Sequence, residues 1–261
     1  MGLFQNLFKP GPGVAPGAPR KTGPARLWEV LLRDGGSFFR AGLLALGSAA
    51  PFFVAVDISW RTGSLAVALG GGVLGGLIAM PQLVALADAI LRSLRDEPGY
   101  WWHTYRRVWR RDLKASLGPG ALFGGLFAVQ LLGLFAQLGA QTPDWGFLAL
   151  SAAALALSAG VFTYALPQLA LLELPAPVIL KNALLLVIVS LPQSLGAAAM
   201  LLAYWGIVLW FWPYTLVVAL GLGLWFPLLC SLLTVYAGLD RRLHIEEGLQ
   251  KRADGPDGQA K

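Results

Sequence analysis

The feature that most constrains this chain is a long stretch without charge towards its C-terminal end. Residues 182–239 contain no Asp, Glu, Lys or Arg. Because a helix rises about 1.5 Å per residue, roughly 20 residues cross the hydrocarbon core of a bilayer. The stretch is long enough to cross twice, so it must turn back at a membrane boundary, where Trp and Tyr concentrate. Aromatic residues and one proline mark that turn, namely Tyr204, Trp205, Trp210, Trp212, Pro213 and Tyr214.

The rest of the chain has a similar composition. Hydrophobic residues make up 56% of it and charged residues 13%, whereas soluble domains carry roughly 25% charged residues. Apolar runs long enough to cross a membrane recur along the sequence, so we predict an all-α, polytopic membrane bundle of six transmembrane helices. The predicted spans are residues 38–58, 64–90, 115–140, 145–172, 181–205 and 210–239, within a membrane domain of residues 37–239.

The basic residues and the flanking segments indicate the orientation. Residues 1–36 form a Pro/Gly-rich arm with at most a short helix at 27–32, ended by Gly35 and Gly36, and residues 240–261 form a tail. With six spans, both termini lie on the side that collects every Lys and Arg except Arg61. Positive residues favour the cytoplasmic side, so we predict a bacterial cytoplasmic membrane protein with both termini in the cytoplasm.

This topology excludes some classes of function. The outer face has only three short turns, which leaves no room for an external receptor domain or catalytic domain. The net charge of +6 clusters beside the apolar runs, where it acts as a topology signal, and we predict no nucleic-acid partner.

The most highly charged segment, residues 92–114, lies between the second and third predicted spans. At about 100° per residue, its aromatic residues fall in one arc and its basic residues in the other, which is typical of a basic amphipathic helix. Such a cytoplasmic helix lies along the inner membrane surface, with its cations near anionic lipid. The predicted surface consists of Trp101, Trp102, Tyr105, Arg106, Arg107, Trp109, Arg110, Arg111 and Asp112.

A second interpretation is that the same surface docks a membrane protein or a cytoplasmic protein. Asp112 favours it, because this acid falls within the aromatic arc, where lipid alone offers it no partner. An arginine of the same chain or the start of the third span could equally satisfy Asp112. The residues therefore leave both lipid and protein open as partners of this surface.

Several sequence motifs resemble those of a known family. They are Lys9-Pro-Gly-Pro-Gly-Val14, Leu91-Arg-Ser-Leu-Arg-Asp-Glu-Pro-Gly-Tyr-Trp-Trp102, Tyr105-Arg-Arg-Val-Trp-Arg-Arg-Asp-Leu-Lys-Ala-Ser-Leu117 and Leu180-Lys-Asn-Ala-Leu184. Over nearly its whole length, the chain resembles the YesL family of bacterial integral membrane proteins. The resemblance implies a bundle of membrane helices without an established biochemical activity and an accessory role in carbohydrate uptake or utilisation. Two positions depart from the family pattern: Asp112 replaces an expected Asn, and the first span lacks its polar Asn.

No residue pattern indicates catalysis. His103 and His244 lie in different segments without Cys or acidic residues at metal-ligand spacing, so we predict no metal site. Because there is no nucleophile motif, phosphate-binding loop or pair of membrane carboxylates, we predict a non-enzymatic protein without a cofactor. Asp88 lies near a span end with Arg92 one helical turn away, which predicts a structural ion pair.

A small-solute transporter is the alternative function. Gln82, Gln168 and Gln193 each adjoin a proline, and broken helices beside polar side chains form the midplane sites of transporters. The other interpretation is that these glutamines form hydrogen bonds between helices, each contributing about 1 kcal/mol. We favour the second, because no buried ionisable residue offers coupling to protons or ions.

Overall fold

The described part of the chain consists of helices joined by short connections. The computed structural model describes residues 20–97, 101–172, 174–211, 213–243 and 245–246, and these ranges contain no strand. The predicted arm up to residue 19, the tail from residue 247, Trp212 and His244 lie outside them. The helices are α1 (Pro24–Thr62), α2 (Leu65–Leu94), α3 (Trp101–Leu138), α4 (Trp145–Leu171), α5 (Ala176–Val189), α6 (Leu191–Trp210), α7 (Leu216–Gly221) and α8 (Trp225–Leu243).

Five helices are long and apolar enough to cross a membrane. They are α1, α2, α3, α4 and α6, which confirms, for the described residues, the prediction of an all-α chain with several helices that could span a membrane. The fifth predicted span is divided at Ser190 between α5 and α6, and the sixth is divided between α7 and α8. A count of six spans, like the cytoplasmic position of both termini, stays a prediction.

Helix α1 begins earlier and runs further than the sequence predicts. It begins at Pro24, whose fixed φ suits the first turn of a helix. The expected end at Gly35 and Gly36 is wrong, because α1 continues to Thr62 and ends at Gly63 with φ 65°. Each glycine disfavours the helix by about 1 kcal/mol. Contacts on both sides of the two glycines offset this cost. Arg33, before them, binds Asp96, and Phe38, after them, is buried against Trp225.

Helices α2 and α3 meet backbone to backbone through glycines. A Cβ on Gly76 would clash with the Gly120 carbonyl, and a Cβ on Gly124 would clash with the Gly72 carbonyl. Small residues at such contacts let membrane helices approach closely. The Gly-Pro-Gly sequence ending at Gly120 therefore serves packing, and α3 stays helical through it.

The core lies around the charged end of α2. This helix contacts α1, α3, α4 and α8, so no face of its last turns is exposed. In its last turns, six residues are 0% exposed, namely Val84, Ala85, Leu86, Ala87, Ile90 and Leu91. Helix α2 is the central element against which the others position their side chains.

A serine hydroxyl lies at the break between α5 and α6. Pro192 follows Ser190 closely, and a proline removes one backbone donor from the helical ladder. The Ser194 hydroxyl lies within hydrogen-bonding distance of the Val187 carbonyl at 3.1 Å and of the Ser190 carbonyl at 2.9 Å. This serine thereby adds a side-chain hydrogen bond at the break.

Candidate functional site

The basic segment predicted to be a separate helix is the start of α3. Residues 101–114 continue without interruption into the apolar part of the same helix, which reaches Leu138. The helix has no break near residue 115, where the third span is predicted to begin, and the Ser116 hydroxyl bonds back to the Leu113 carbonyl at 2.9 Å. The residue at which that span enters the membrane stays a prediction. A separate cytoplasmic helix that lies along the membrane is therefore not confirmed.

The first turns of α3 have one buried face and one exposed face. Tyr105, Val108 and Asp112 are buried, while Trp101 and Trp109 are partly buried against the same hydrophobic core. Trp102 is 43% exposed. The basic residues of the predicted surface are all on the exposed side, namely Arg106, Arg107, Arg110 and Arg111, and Lys114 follows them there. Most of the aromatic arc thus contacts the protein's own helices.

Two contacts hold the buried face of α3 in place. The Tyr105 hydroxyl donates a hydrogen bond to Oε1 of Gln82 on α2, with an oxygen-oxygen distance of 2.5 Å. The guanidinium of Arg40 on α1 lies 5.1 Å from the centre of the Trp101 ring, a cation-π contact. These contacts join α3 to α1 and α2 and fix the direction in which its basic face points.

Asp112 has a partner within the chain. Arg111 donates from Nε to Oδ1 and from Nη2 to Oδ2, both at 2.7 Å. The same Nη2 donates to the carbonyl of Ala170 at 2.7 Å, near the end of α4, where a cation is favoured by the helix dipole. The sequence leaves three possible partners for Asp112: another protein, an arginine of the same chain and the start of the third span. The structure supports the arginine of the same chain.

A second charged group, which the sequence does not predict, lies where α1 meets the end of α2. Its centre is Asp96, which has φ 62° and accepts hydrogen bonds from three arginines. The nitrogen-oxygen distances are 2.8 Å from Arg26, 2.5 Å from Arg33 and 3.2 Å from Arg20. We call these four residues the Asp96 cluster.

The arginines of the Asp96 cluster also bind the end of helix α2. Arg26 donates to the Leu94 carbonyl at 2.8 Å, Arg20 donates to the Arg95 carbonyl at 3.1 Å, and Arg33 donates to the Ser93 carbonyl. The last carbonyls of a helix have no partner within it. The cluster therefore satisfies these acceptors as well as the carboxylate.

The charge balance of the cluster keeps Asp96 ionised. Burial acts to raise the pKa of the Asp96 carboxyl, but hydrogen bonds and attraction from Arg26 and Arg33 outweigh it and lower this pKa below its ordinary value. In the same way, burial opposes the ionised form of Glu97, while Arg95 lowers the pKa of Glu97. Arg26 and Arg33 are seven residues apart on one helix face, which is the only signal of this cluster in the sequence.

The three glutamines of the predicted polar site have separate environments. Gln82 accepts from Tyr105. Gln168 is 0% exposed and donates from Nε2 to the Tyr164 carbonyl at 3.0 Å, while its Oε1 has no partner. The side chain of Gln193 lies against Gly238 on α8. None of the three hydrogen-bonds to another, so the structure does not gather them into one site.

The ion pair predicted for the end of α2 is confirmed. Arg92 donates from Nε to Oδ2 of Asp88 at 2.7 Å, one helical turn away. Within the described ranges, no group of three or more His, Cys, Asp or Glu residues could hold a metal ion. The prediction of a protein without catalytic, cofactor or metal residues stays a prediction.

Comparisons with known proteins give no match: no protein-family model, no curated protein and no solved structure is similar to this chain. The resemblance to the YesL family therefore stays a prediction that rests on the quoted motifs.

Proposed function

We propose that this chain is a non-enzymatic, integral protein of the bacterial cytoplasmic membrane that acts as an accessory or scaffolding component, with the basic face of α3 as its interaction surface. This basic face consists of Arg106, Arg107, Arg110 and Lys114. The link to carbohydrate uptake or utilisation rests on the resemblance to the YesL family alone.

One observation carries this proposal. The four cations are exposed, and none forms an ion pair with an acid of the described ranges, whereas nearby Arg92, Arg95 and Arg111 all do. Unpaired like charges on one helix face repel each other, so the arrangement favours a negatively charged partner.

The opposite face of the helix supports the same reading. Tyr105 holds the start of α3 on α2 through Gln82, and Arg111, which pairs with Asp112, holds it on α4 through the Ala170 carbonyl. The cations therefore project from a positioned backbone, which lowers the entropy that a partner must overcome on binding. Both candidate partners suit this surface: an acidic region of a protein and the anionic headgroups of the inner leaflet.

Co-purification from the native membrane after mild cross-linking tests the proposal. We expect the double variant Arg106→Glu and Arg110→Glu to reduce the yield of a stable protein partner by at least about tenfold, which corresponds to about 1.4 kcal/mol of binding free energy. The matched control is Lys181→Glu with Arg242→Glu, which changes the charge equally at two exposed cations elsewhere. Recovery of the same partner with both variants, or of no partner with the unaltered protein, contradicts a docking role.

A transporter is the second candidate, and one observation favours it. Oε1 of Gln168 is buried without a hydrogen-bond partner, and an unpaired buried acceptor is costly unless something binds it. Vesicles reconstituted with the protein decide between the two functions. Saturable uptake of a sugar that is abolished by Gln168→Leu supports transport. If vesicles that contain folded protein take up no sugar, the accessory role is supported.

A further inference from the structure

A cavity of about 230 Å³ lies between α1, α2, α3, α4, α6 and the start of α8. All of its lining residues are apolar or glycine, and the indole N–H of Trp205 is the only polar hydrogen-bonding group among their side chains. Five of the surrounding helices are those long enough to cross a membrane. The cavity therefore lies where the solvent around the protein is hydrocarbon.

The floor and the wall of the cavity have a defined shape. Gly76, Gly120 and Gly124 line it where α2 and α3 touch through their backbones. Phe162 forms an edge-to-face contact with Phe123, with ring centres 5.3 Å apart and an angle of 77°. Interlocked rings of this kind hold their positions, so the space is bounded by packed groups.

Two aromatic rings lie at the edge of the cavity between α1 and α6. The rings of Phe53 and Trp205 contact each other across this gap at 5.4 Å, and Phe53 is 37% exposed. Both rings line the cavity. Separation of these two rings would open a path from the bilayer to the interior that does not cross the charged end of the bundle.

The chemistry of the lining selects the occupant. An apolar cavity of about 150 Å³ stays dry and takes up a hydrocarbon such as benzene, because a void deprives its lining of dispersion contacts. A sugar or an ion needs several polar partners when buried, and this lining offers one N–H group.

We propose that the cavity binds one hydrocarbon chain of a membrane lipid, which enters between Phe53 and Trp205 and lies against Phe123 and Phe162. The lipid headgroup stays outside in the bilayer interface. This site is separate from the basic face of α3, so the inference does not depend on the proposed accessory function.

Photo-cross-linking tests this proposal with the full chain. The protein is reconstituted in phosphatidylcholine vesicles whose acyl chains carry a diazirine at mid-chain, then irradiated, digested and mapped by mass spectrometry. We expect labels on cavity residues such as Phe162 and Leu202, as well as on outward residues such as Leu74 and Leu150, which are 62% and 70% exposed. Labels on outward residues alone overturn the proposal.

A variant that fills the cavity provides the second arm. Ala159 lines the cavity on α4, and Ala159→Phe is expected to reduce labelling of Leu202 at least fivefold while the labelling of Leu74 is unchanged. Ala153→Phe is the matched control, because Ala153 is an exposed residue of the same helix.

If Ala159→Phe does not fold, judged by helicity and by gel filtration, Leu202→Trp fills the same cavity from α6 and is read at Phe162. Equal labelling of Phe162 in this variant and in the unaltered protein overturns the proposal.

Discussion

Arginines of α1 and of α3 lie close to the same end of the bundle but have opposite environments. The side chains of Arg26 and Arg33 are only 5% and 10% exposed, and they bind Asp96 and backbone carbonyls. Arg106 and Arg110 are exposed and have no ion pair with an acid of the described ranges. The same residue type thus holds helices together in one region and is left available for a partner in the other.

This difference shows that a count of basic residues does not tell which of them determine topology, which stabilise the fold and which are available to bind a partner. Both groups contribute equally to the charge of the predicted cytoplasmic side. Only the first group has its charge matched by a carboxylate and its donors matched by helix-end carbonyls. Stability should therefore depend on the α1 arginines, and association should depend on the α3 arginines.

The largest expected effect comes from removing the acid of the Asp96 cluster. Asp96→Ala leaves Arg26 and Arg33 buried without this carboxylate, and the loss of one partner from a buried pair costs about 3 kcal/mol. We expect the lower end of the usual range, because Glu29 and Asp34 still pair with these arginines. Unfolding in detergent micelles measures the change.

The control for this variant is Asp57→Ala, which removes an exposed acid that pairs with Arg61 at the other end of α1. Exposed pairs contribute little to stability, so no change in the unfolding midpoint is expected. Equal loss of stability in the two variants contradicts the contrast between buried and exposed arginines.

The pH dependence of the Asp96 cluster is the second prediction. Because the pKa of Asp96 is lowered in the folded protein, its contribution to stability is fully present above its ordinary pKa of about 3.9 and is lost as pH falls below that value. The difference in unfolding free energy between the unaltered protein and Asp96→Asn should be constant from about pH 6 to 8 and shrink below about pH 4. A difference that grows on acidification contradicts the assigned pairing.

A smaller effect is expected where α3 joins α2. Tyr105→Phe removes the hydrogen bond to Gln82 and should cost about 1 kcal/mol of unfolding free energy. Gln82→Leu should cost a similar amount, and the double variant should cost less than the sum of the two, because the residues share one bond. Strict additivity in this double-mutant cycle shows that the two residues do not interact.

The smallest effect on stability is expected from the basic face. Arg106→Ala with Arg110→Ala should change the unfolding free energy by less than about 0.5 kcal/mol, because exposed residues without partners contribute little. Micelle unfolding checks this value. A loss comparable with that of Asp96→Ala identifies the α3 arginines as structural and removes the basis of the proposed interaction surface.

Interactions close in sequence could be predicted, whereas distant ones could not. Asp88 and Arg92 are one turn apart on any helix, and their pair is confirmed. Asp96 lies 63 residues from Arg33 and 70 from Arg26, so its partners depend on how α1 packs against α2. Arg111 is one of several arginines close to Asp112 in sequence. Its contact with the Ala170 carbonyl of α4 distinguishes it from the others.

The glycines were interpreted with rules that suit water better than membrane. Gly35 and Gly36 are predicted to end a helix, but α1 continues through them, and α3 is likewise helical through the glycines around Pro119. Around Pro119, water could bind a helix end that opens, whereas hydrocarbon cannot, so this apolar part of α3 retains its internal hydrogen bonds. At Gly120 and Gly124 the missing side chain instead permits contact with α2.

The continuity of α3 has a structural consequence. The helix has 38 residues, which correspond to a length of about 57 Å at 1.5 Å per residue. Pro119 is the one proline within it, and this residue is buried beside the glycine contact with α2. One unbroken helix therefore connects the basic face to the far end of α3, and its close contact with α2 lies between the two.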